Sequence, residues 1–201
     1  MLKFYQEITI IPEPEIPLYD MWTRVFTQLH IALADVKNTH GIDTIGVSFP
    51  NYQFTEKQGK TFATLGYKLR IFAPSENELQ ALDLGKWLAR LTDYLHLKSI
   101  QPVPDKHNHV IIRRYRHESV EKVAERFAKF KGIDFETALA HCQAHKQPAK
   151  AYPYIGLKSE TTQVGYRLTI WQQSASEAVA GKFNTYGMGD SKSKLATVPH
   201  W

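Results

Sequence analysis

Hydrophobic positions in the first hundred residues follow two different periods. Some segments alternate between apolar and polar residues, as in half-buried strands, and others repeat their apolar residues at the spacing of a helix. Prolines punctuate the chain after the first strand, and Ser75 followed by Glu78 forms a capping box that opens a helix. The pattern predicts strands over 2–11, 45–49 and 64–73, and helices over 18–35, 75–82 and 87–95.

These elements predict an α+β protein. With the extended segment around Pro102, the order is strand, helix, strand, strand, helix, strand, which is the order of the split βαβ, or ferredoxin-like, unit. The RNA-recognition module (RRM) shares this topology, but so do many small-molecule domains. We therefore expect an RRM-like βαββαβ domain over residues 1–105, whose topology alone does not determine its function.

A second, smaller α+β domain is expected over residues 106–201. A strand over 110–115 precedes helices over 119–131 and 134–145, and Ser119 and Asp134 are the expected N-caps. Further strands are predicted over 152–157, 166–172 and 183–186.

The charge of the chain lies in its second half. Residues 1–105 contain 10 lysines and arginines against 12 acidic residues, whereas residues 106–201 contain 15 against 8, within an overall net charge of +5. The densest basic block, residues 107–131, also contains aromatic residues. Such a block is typical of a protein that binds a phosphate backbone, although a solvated charged face is the plain alternative.

The helix over 119–131 carries much of this charge. Lys122, Arg126 and Lys129 are spaced i, i+4, i+7 and share one stripe of the helix. A row of cations suits the groove of an RNA hairpin, which is bounded by phosphates. Local pairs could instead neutralise the row, through Glu118, Glu121 and Glu125.

Composition indicates the class of protein and the cellular compartment in which it acts. Hydrophobic residues make up 43% of the chain, as in a globular protein, and its single cysteine, Cys142, leaves no internal disulfide. No apolar signal core or membrane-length apolar run is present. We therefore expect a cytoplasmic protein that does not act at a membrane.

The nine histidines offer two candidates for chemistry. His141 and His145 stand four apart on one helix, beside Cys142, at a spacing that can hold zinc. No further ligands follow at a recognisable spacing, so we expect neither a metal nor another cofactor. His30 lies between apolar neighbours on the first helix. Considered alone, it is best interpreted as a buried, hydrogen-bonded core histidine.

Six short segments change the interpretation of His30. They are FTQLHIAL (26–33), IGVSFP (45–50), LKSETT (157–162), YRL (166–168), TYGM (185–188) and VP (198–199). In this order and at these spacings the chain resembles the type I-F CRISPR repeat-processing endoribonuclease family over essentially its whole length.

The resemblance implies an enzyme that cuts precursor CRISPR RNA at the base of each repeat hairpin. It also implies a protein that keeps the product and joins the other subunits of the type I-F surveillance complex. Matched position by position, the active-site residues are His30, Ser159 and Tyr186, and Tyr166 is an aromatic residue that stacks on RNA. The basic helix corresponds to one that enters the major groove of the hairpin.

RNA contacts are accordingly expected from ten residues. They are Arg113, Arg114, Tyr115, Arg116, Lys122, Arg126, Lys129, Lys158, Thr161 and Tyr166. The family usually has Arg-x-Gln where this chain has Arg113-Arg114-Tyr115. Arg113 can still contact a guanine edge, but Tyr115 cannot imitate an amide paired with adenine. Two positions of the helix that are basic in the family are here Glu125 and Phe130.

The chemistry expected of such a site needs no metal. RNA supplies its own nucleophile, the 2′-OH beside the scissile phosphate, and imidazole titrates near neutral pH and can accept the proton of that hydroxyl. On this hypothesis His30 is the general base, Ser159 positions the 2′-OH and Tyr186 orients the imidazole. The products are a 2′,3′-cyclic phosphate and a 5′-OH. A hairpin-binding subunit that does not cut, or a general RNA-binding module, is the alternative.

Overall fold

The structure is a computed structural model that describes residues 1–146, 148–159, 162–189 and 195–201. Its helices are α1 (Leu18–His40), α2 (Glu76–Leu82), α3 (Leu84–Trp87), α4 (Val120–Lys131) and α5 (Phe135–Ala144), with a 3₁₀ turn at Ala89–Leu91. Its strands are β1 (Phe4–Ile10), β2 (Gly46–Ser48), β3 (Gln53–Lys57), β4 (Lys60–Thr64), β5 (Lys68–Ala73), β6 (Leu95–Leu97), β7 (Gln101–Pro102), β8 (Asn108–Arg114), β9 (Tyr154–Lys158), β10 (Gly165–Ala175) and β11 (Val198–His200).

Two antiparallel sheets and a hairpin contain all of these strands. The first sheet has the order β2-β5-β1-β6, and β7 also pairs with β1. The second has the order β11-β8-β10-β9. β3 and β4 pair only with each other among the described strands. The expectation of a mixed α+β protein is confirmed.

Compact packing divides the chain into two units. The larger unit comprises residues 1–114 and 152–201, and the smaller unit comprises residues 115–151. This division differs from the predicted boundary at residue 105. In the larger unit α1 contacts β9, β11 lies beside β2, and a single hydrophobic cluster includes Ile8 of the first sheet and Ile170 of the second. Strands β8 to β11 therefore share a core with residues 1–105.

Helix α1 supplies one wall of that core. Eight of its residues are buried, at intervals that keep them on one face: Met21, Trp22, Val25, Phe26, Leu29, Ala32, Leu33 and Val36. It ends at Gly41, whose φ of 69° closes the last turn through a hydrogen bond to the Lys37 carbonyl. The helix runs five residues beyond the predicted end. Residues 36–40 add only one buried side chain to the apolar stripe, so the hydrophobic pattern gives little sign that the helix continues.

Helices α4 and α5 form the smaller unit. The Ser119 hydroxyl accepts a hydrogen bond from the Lys122 N–H, and an Asp134 carboxylate oxygen accepts one from the Thr137 N–H, so both predicted N-caps are confirmed. Buried alanines, Ala124 and Ala138, allow the helices to approach.

Three parts of the predicted secondary structure are wrong. The helix expected over 87–95 is a short helix, a 3₁₀ turn and the start of β6. The strand expected over 64–73 begins only at Lys68, since Gly66 adopts a φ of 70°. Residues 183–186 form a turn rather than a strand. Within the described residues, no helix has the length and apolar character needed to cross a membrane.

Candidate active site and RNA-binding surface

The imidazole of His30 is held in one tautomer by the backbone. His30 lies half-buried on α1, and its Nδ1 is 2.8 Å from the carbonyl oxygen of Thr185. A carbonyl oxygen can only accept, so Nδ1 is the nitrogen that carries the proton and donates. In the neutral ring Nε2 is then the unprotonated nitrogen. The geometry therefore leaves Nε2 with a lone pair that can accept a proton.

An aromatic ring covers one face of this imidazole. The ring of Tyr186 stacks on His30 with centroids 4.2 Å apart and planes 8° from parallel. The hydroxyl of Tyr186 in turn shares a hydrogen bond of 2.7 Å with the hydroxyl of Tyr166 on β10. Burial, together with this hydrogen bond to Tyr186, raises the pKa of Tyr166 to about 12. At neutral pH the Tyr166 hydroxyl therefore keeps its proton.

A tight turn presents Tyr186 to α1. The side-chain oxygen of Asn184 accepts hydrogen bonds from the N–H groups of Tyr186, at 2.8 Å, and Met188, at 3.3 Å. Gly187 follows with a φ of 69°. A Cβ at Gly187 would lie 2.5 Å from Cγ1 of Val47, so only glycine fits this position without displacement.

Two of the segments that carried the family resemblance are in direct contact here. The N–H of Val47, in IGVSFP, donates to the carbonyl of Gly187, in TYGM, at 2.9 Å. A Cβ at Gly46 would lie 2.7 Å from the ring of Phe183. The two segments thus form one packed support that holds the Tyr186 turn.

Ser159 lies in the loop that joins β9 to β10. Its hydroxyl accepts a hydrogen bond of 3.2 Å from the N–H of Thr162, and its own N–H donates to the carbonyl of Val164 at 3.0 Å. Tyr166 pairs with Leu157 near the same end of this hairpin. The structure thus brings Tyr186 into contact with both His30 and Tyr166, and places Ser159 in the adjoining loop.

The two other predicted positions of this hairpin are Lys158 and Thr161. Lys158 is exposed at the end of β9, and Thr161 lies outside the described residues.

The arginines at the end of β8 stack on aromatic rings. The guanidinium of Arg113 lies 3.8 Å from the ring centroid of Trp171, and that of Arg114 lies 5.4 Å from that of Tyr166. Successive strand residues point to opposite faces, so the two arginines serve different surfaces. The Nε of each is buried and without a hydrogen-bond partner in the described part of the chain. A stacked guanidinium can still direct its remaining N–H donors at a phosphate or a base edge.

The smaller unit contains the other predicted RNA contacts. Tyr115 and Arg116 begin it, ahead of α4. Arg126 donates two hydrogen bonds to the carboxylate of Glu118, one of them at 2.9 Å, so one member of the cationic row is locally neutralised. Lys122 and Lys129 are exposed and have no carboxylate partner among the described residues.

The histidine pair of α5 takes part in packing. His141 stacks on Phe127 with centroids 4.8 Å apart, and His145 donates from Nδ1 to the carbonyl of His141 at 2.9 Å. The described residues include no group of three or more histidine, cysteine or acidic side chains arranged to hold a metal ion.

Comparison with known sequences identifies the family. The profile of the family described as "CRISPR-associated protein (Cas_Csy4)" matches residues 5–201. The chain belongs to this family. The family resemblance expected from the sequence segments is therefore confirmed.

Two relatives carry the description "CRISPR-associated endonuclease Cas6/Csy4". One, from Escherichia coli (strain UTI89 / UPEC), is 28% identical over 200 residues, covering 98% of this chain and 99% of its own. The other, from Pseudomonas aeruginosa (strain UCBPP-PA14), is 30% identical over 192 residues, covering 93% of this chain and 95% of its own. A solved structure described as "CRISPR associated protein Cas6" covers 98% of this chain and 98% of its own at a TM-score of 0.32 and 12% identity.

Sequence reasoning missed two contributors to the site. Asn184 shapes the turn that presents Tyr186, and the Thr185 carbonyl sets the tautomer of His30. The Asn-Thr-Tyr-Gly order of residues 184–187 is a recognisable turn signal, because asparagine side chains bond to the backbone two residues on. The carbonyl of Thr185 has no signal in the sequence, since every residue carries one.

Proposed function

We propose that this Csy4-family chain is a metal-independent endoribonuclease that binds the CRISPR repeat hairpin and cleaves precursor CRISPR RNA at its base. The observation that carries the proposal is the tautomer of His30. With its proton on Nδ1, the neutral imidazole offers Nε2 as the base. The descriptions of the two relatives as CRISPR-associated endonucleases support the same reaction class.

The proposed reaction is a transesterification within the RNA. His30 Nε2 takes the proton of the 2′-OH, and the oxygen attacks the adjacent phosphorus. The bond from phosphorus to the 5′-oxygen of the next nucleotide breaks, and that oxygen takes up a proton. The products are a 2′,3′-cyclic phosphate and a 5′-OH. General base catalysis of this kind contributes about 10²–10⁴-fold in rate.

Ser159 and Tyr186 have positioning roles in this proposal. The hydrogen bond from the Thr162 N–H fixes the oxygen of Ser159 and leaves its O–H available to hold the 2′-OH in line. Tyr186 restrains the imidazole plane by stacking. This contact supports an orienting role through packing.

We further propose that the first sheet, with α1 and α2, is a ferredoxin-like domain. Its order β2-β5-β1-β6, with antiparallel neighbours, supports this assignment. The exposed cations of α4 would bind the phosphates of the hairpin, together with Arg113 and Arg114 of β8 and with Tyr166. The enzyme would keep its product and become the hairpin-end subunit of the type I-F surveillance complex.

Cleavage of a labelled repeat hairpin in EDTA tests the proposal. Wild type should cut, whereas His30→Ala and His30→Asn should bind the hairpin but cut at least 10²-fold more slowly. His30→Asn is included because its side-chain amide can still donate a hydrogen bond near Thr185. His40→Ala, an exposed histidine at the end of the same helix, is the matched control and should cut like wild type.

A hairpin with a 2′-deoxy nucleotide immediately before the cleavage position tests the role of the 2′-OH nucleophile while the general base, His30, is intact. It should bind normally and resist cleavage, and mass spectrometry of the normal product should find a cyclic phosphate. If wild type binds the repeat hairpin tightly but never cuts it, the chain is a binding subunit and the proposal is wrong.

A further inference from the structure

The hydroxyls of Tyr166 and Tyr186 connect two segments that the backbone does not join. Tyr166 stands on β10, and Tyr186 stands in the turn after Asn184. The hydrogen bond between them, at 2.7 Å, is the side-chain link between this strand and the ring that stacks on His30.

Each constraint on Tyr186 fixes a different degree of freedom. The hydrogen bond from the Tyr186 N–H to the side-chain oxygen of Asn184 fixes the backbone of Tyr186, but the side chain can still rotate about χ1 and χ2. The contact with the imidazole resists tilting of the ring. The hydroxyl bond fixes the far end of the ring, where a small rotation about the side-chain torsions produces the largest displacement.

We propose that the Tyr166 hydroxyl is a positioning group for the cleavage reaction, which holds Tyr186 against His30 and so keeps Nε2 aligned on the 2′-OH. The inference rests on the proposed function. The hydrogen bond links Tyr166 to Tyr186, and Tyr186 stacks on the imidazole, so Tyr166 acts through Tyr186. This role is separate from stacking on RNA, because stacking needs the ring and alignment needs the hydroxyl.

Replacement by phenylalanine separates the two roles. Tyr166→Phe keeps the ring for stacking and removes the hydroxyl bond, and Tyr186→Phe removes the same bond from the other side. Tyr5→Phe is the matched control, because it deletes another part-buried tyrosine hydroxyl bond, to Gln101 at 3.2 Å, in the first sheet. All three variants keep their aromatic packing, so folding should be preserved.

Single-turnover cleavage with saturating enzyme is the measurement. Tyr166→Phe and Tyr186→Phe should each lower the rate about tenfold, while the hairpin Kd changes less than twofold. The double variant should be no slower than either single variant, since all three lack one shared bond. Tyr5→Phe should cleave at the wild-type rate.

Three results would overturn the inference. They are a wild-type cleavage rate in Tyr166→Phe, a loss confined to hairpin binding, and multiplying losses in the double variant. These results leave the proposed function intact as long as wild type cuts and His30→Ala does not. Absence of cleavage by wild type itself would instead mean that the proposed function has failed, and the inference with it.

A second and independent observation lies in the smaller unit. Phe130, in the last turn of α4, is 81% exposed. It is four residues from Arg126, so these two residues share one side of the helix. The ammonium of Lys131 lies 5.6 Å from its ring centroid. An exposed aromatic ring among cations is the arrangement that stacks on a nucleic-acid base while the charges hold the backbone.

We infer that Phe130 stacks on an unpaired base of the bound RNA. The positive charges of Lys129 and Lys131, which flank Phe130 in the sequence, favour a polyanion over an apolar protein surface as the occupant. The inference rests on the proposed function, since it assumes that α4 binds the repeat hairpin. A base inside a duplex is covered on both faces, so the contact requires a nucleotide in a loop or a flanking single strand.

Binding of repeat hairpins that carry 2-aminopurine at one unpaired position tests this contact. Phe130→Ala should weaken binding about tenfold and abolish a fluorescence change at one position, whereas Phe130→Trp should retain both. Wild type and Phe130→Ala should bind a blunt duplex without unpaired bases with equal affinity. Equal binding of hairpin by wild type and Phe130→Ala, or an equal loss on the blunt duplex, would overturn the inference. Failure of wild type to bind any repeat RNA would count against the proposed function instead.

Discussion

Two glycines with the same φ differ in what surrounds them. Gly41 and Gly187 both have a φ of 69°. A Cβ on Gly41 would meet nothing within 4 Å, whereas one on Gly187 would lie 2.5 Å from Val47. Alanine at either position incurs the strain of the left-handed region, but only at Gly187 does it also overpack the core.

Gly41→Ala should therefore lower the free energy of unfolding by about 1 kcal/mol, and Gly187→Ala by about 3 kcal/mol. Urea titration followed by circular dichroism measures both. Gly187→Ala should also slow cleavage more than its loss of stability explains, because it displaces the turn that presents Tyr186. Equal destabilisation by the two substitutions would show that Val47 yields to the added methyl group.

The residues of the site were predictable to different degrees. The family resemblance pointed to His30 and Tyr186, which are 156 residues apart in the sequence, yet no periodicity links positions so distant. The tautomer of His30 and the bond between Tyr166 and Tyr186 depend on distances of 2.8 and 2.7 Å. Such distances arise only when the tertiary structure forms. The pairing of Arg126 with Glu118, in contrast, was one of the alternatives that the sequence itself indicated, because the two residues lie only eight positions apart.

At the scale of elements, one buried carboxylate links three parts of the first sheet. Glu7 on β1 is 1% exposed and contacts Arg70 at 2.8 Å, Lys98 at 2.9 Å and Lys68 at 3.0 Å. Burial would raise the pKa of Glu7, but hydrogen bonds from Lys98, Arg70 and Lys68 outweigh it and lower the pKa to about 2. The ionised carboxylate is thus tied to β5 and to the residue after β6.

This network predicts an acid-sensitive fold. A depressed pKa contributes stability that is present above the unfolded value of 4.5 and is lost as the pH falls from there toward 2. Glu7→Gln should lower the free energy of unfolding at pH 7 by about 3 kcal/mol, the low end for a broken buried pair because both lysines reach solvent. It should also flatten the pH dependence between 4.5 and 2. Urea unfolding across this range is the measurement, and an undiminished slope in Glu7→Gln would contradict the assignment.

Helix α4 gives a second prediction at this scale. Replacing Lys122, Arg126 and Lys129 together by alanine should weaken hairpin binding and reduce the slope of log Kd against log salt by about 1 for each phosphate that the helix no longer neutralises. Because Arg126 is held by Glu118, most of the change should come from the two lysines. Lys57→Ala with Lys60→Ala, on the exposed β3–β4 hairpin, is the control. An unchanged slope in the triple variant would make α4 a solvated face.

Elements with a strong local signal were predicted well, and elements held by distant partners were not. α1, α2, α4 and α5 are marked in the sequence by apolar periodicity or by N-caps. The β3–β4 hairpin carries mostly exposed side chains, so its hydrophobic pattern is weak. β11 has three residues, including Pro199, and exists because it pairs with β8. Such a strand has too few positions to show a period.

At the scale of the whole molecule, charge and packing divide the chain differently. The excess of positive charge begins after residue 105, but strand β8 and the chain from residue 152 onward belong to the larger unit. A shift in charge marks a change in what the surface binds. A domain boundary depends instead on which residues bury each other. The charge distribution does not determine this burial, so it could not predict the boundary.

The two units should differ greatly in their ability to fold alone. Among the described residues, Ala124 and Ala138 are the only buried hydrophobic residues of the smaller unit. Its 37 residues, 115–151, fall below the length at which a core usually suffices without other support, about 40 residues. The larger unit retains the hydrophobic cluster, both sheets and α1.

Excision of the smaller unit is therefore predicted to leave a folded protein. Arg114 pairs with Ile170, and the N–H of Ile170 donates to the carbonyl of Pro153, so the two ends flank β10. Two strand spacings separate them, about 10 Å, which a flexible linker of about six residues can span. The variant with residues 115–151 replaced by such a linker should unfold cooperatively on heating.

The same variant tests what each unit contributes to RNA binding. Since it lacks α4, it should bind the repeat hairpin at least tenfold more weakly, while His30 and Tyr186 keep their support from the larger unit. At saturating protein, cleavage should therefore persist in the excised chain and vanish when His30→Ala is added. A matched peptide of residues 115–151 should show little helix by circular dichroism. If the excised chain fails to fold, the smaller unit is needed to assemble the larger one and the prediction is wrong. A helical peptide would instead show that the smaller unit forms its helices without the larger one.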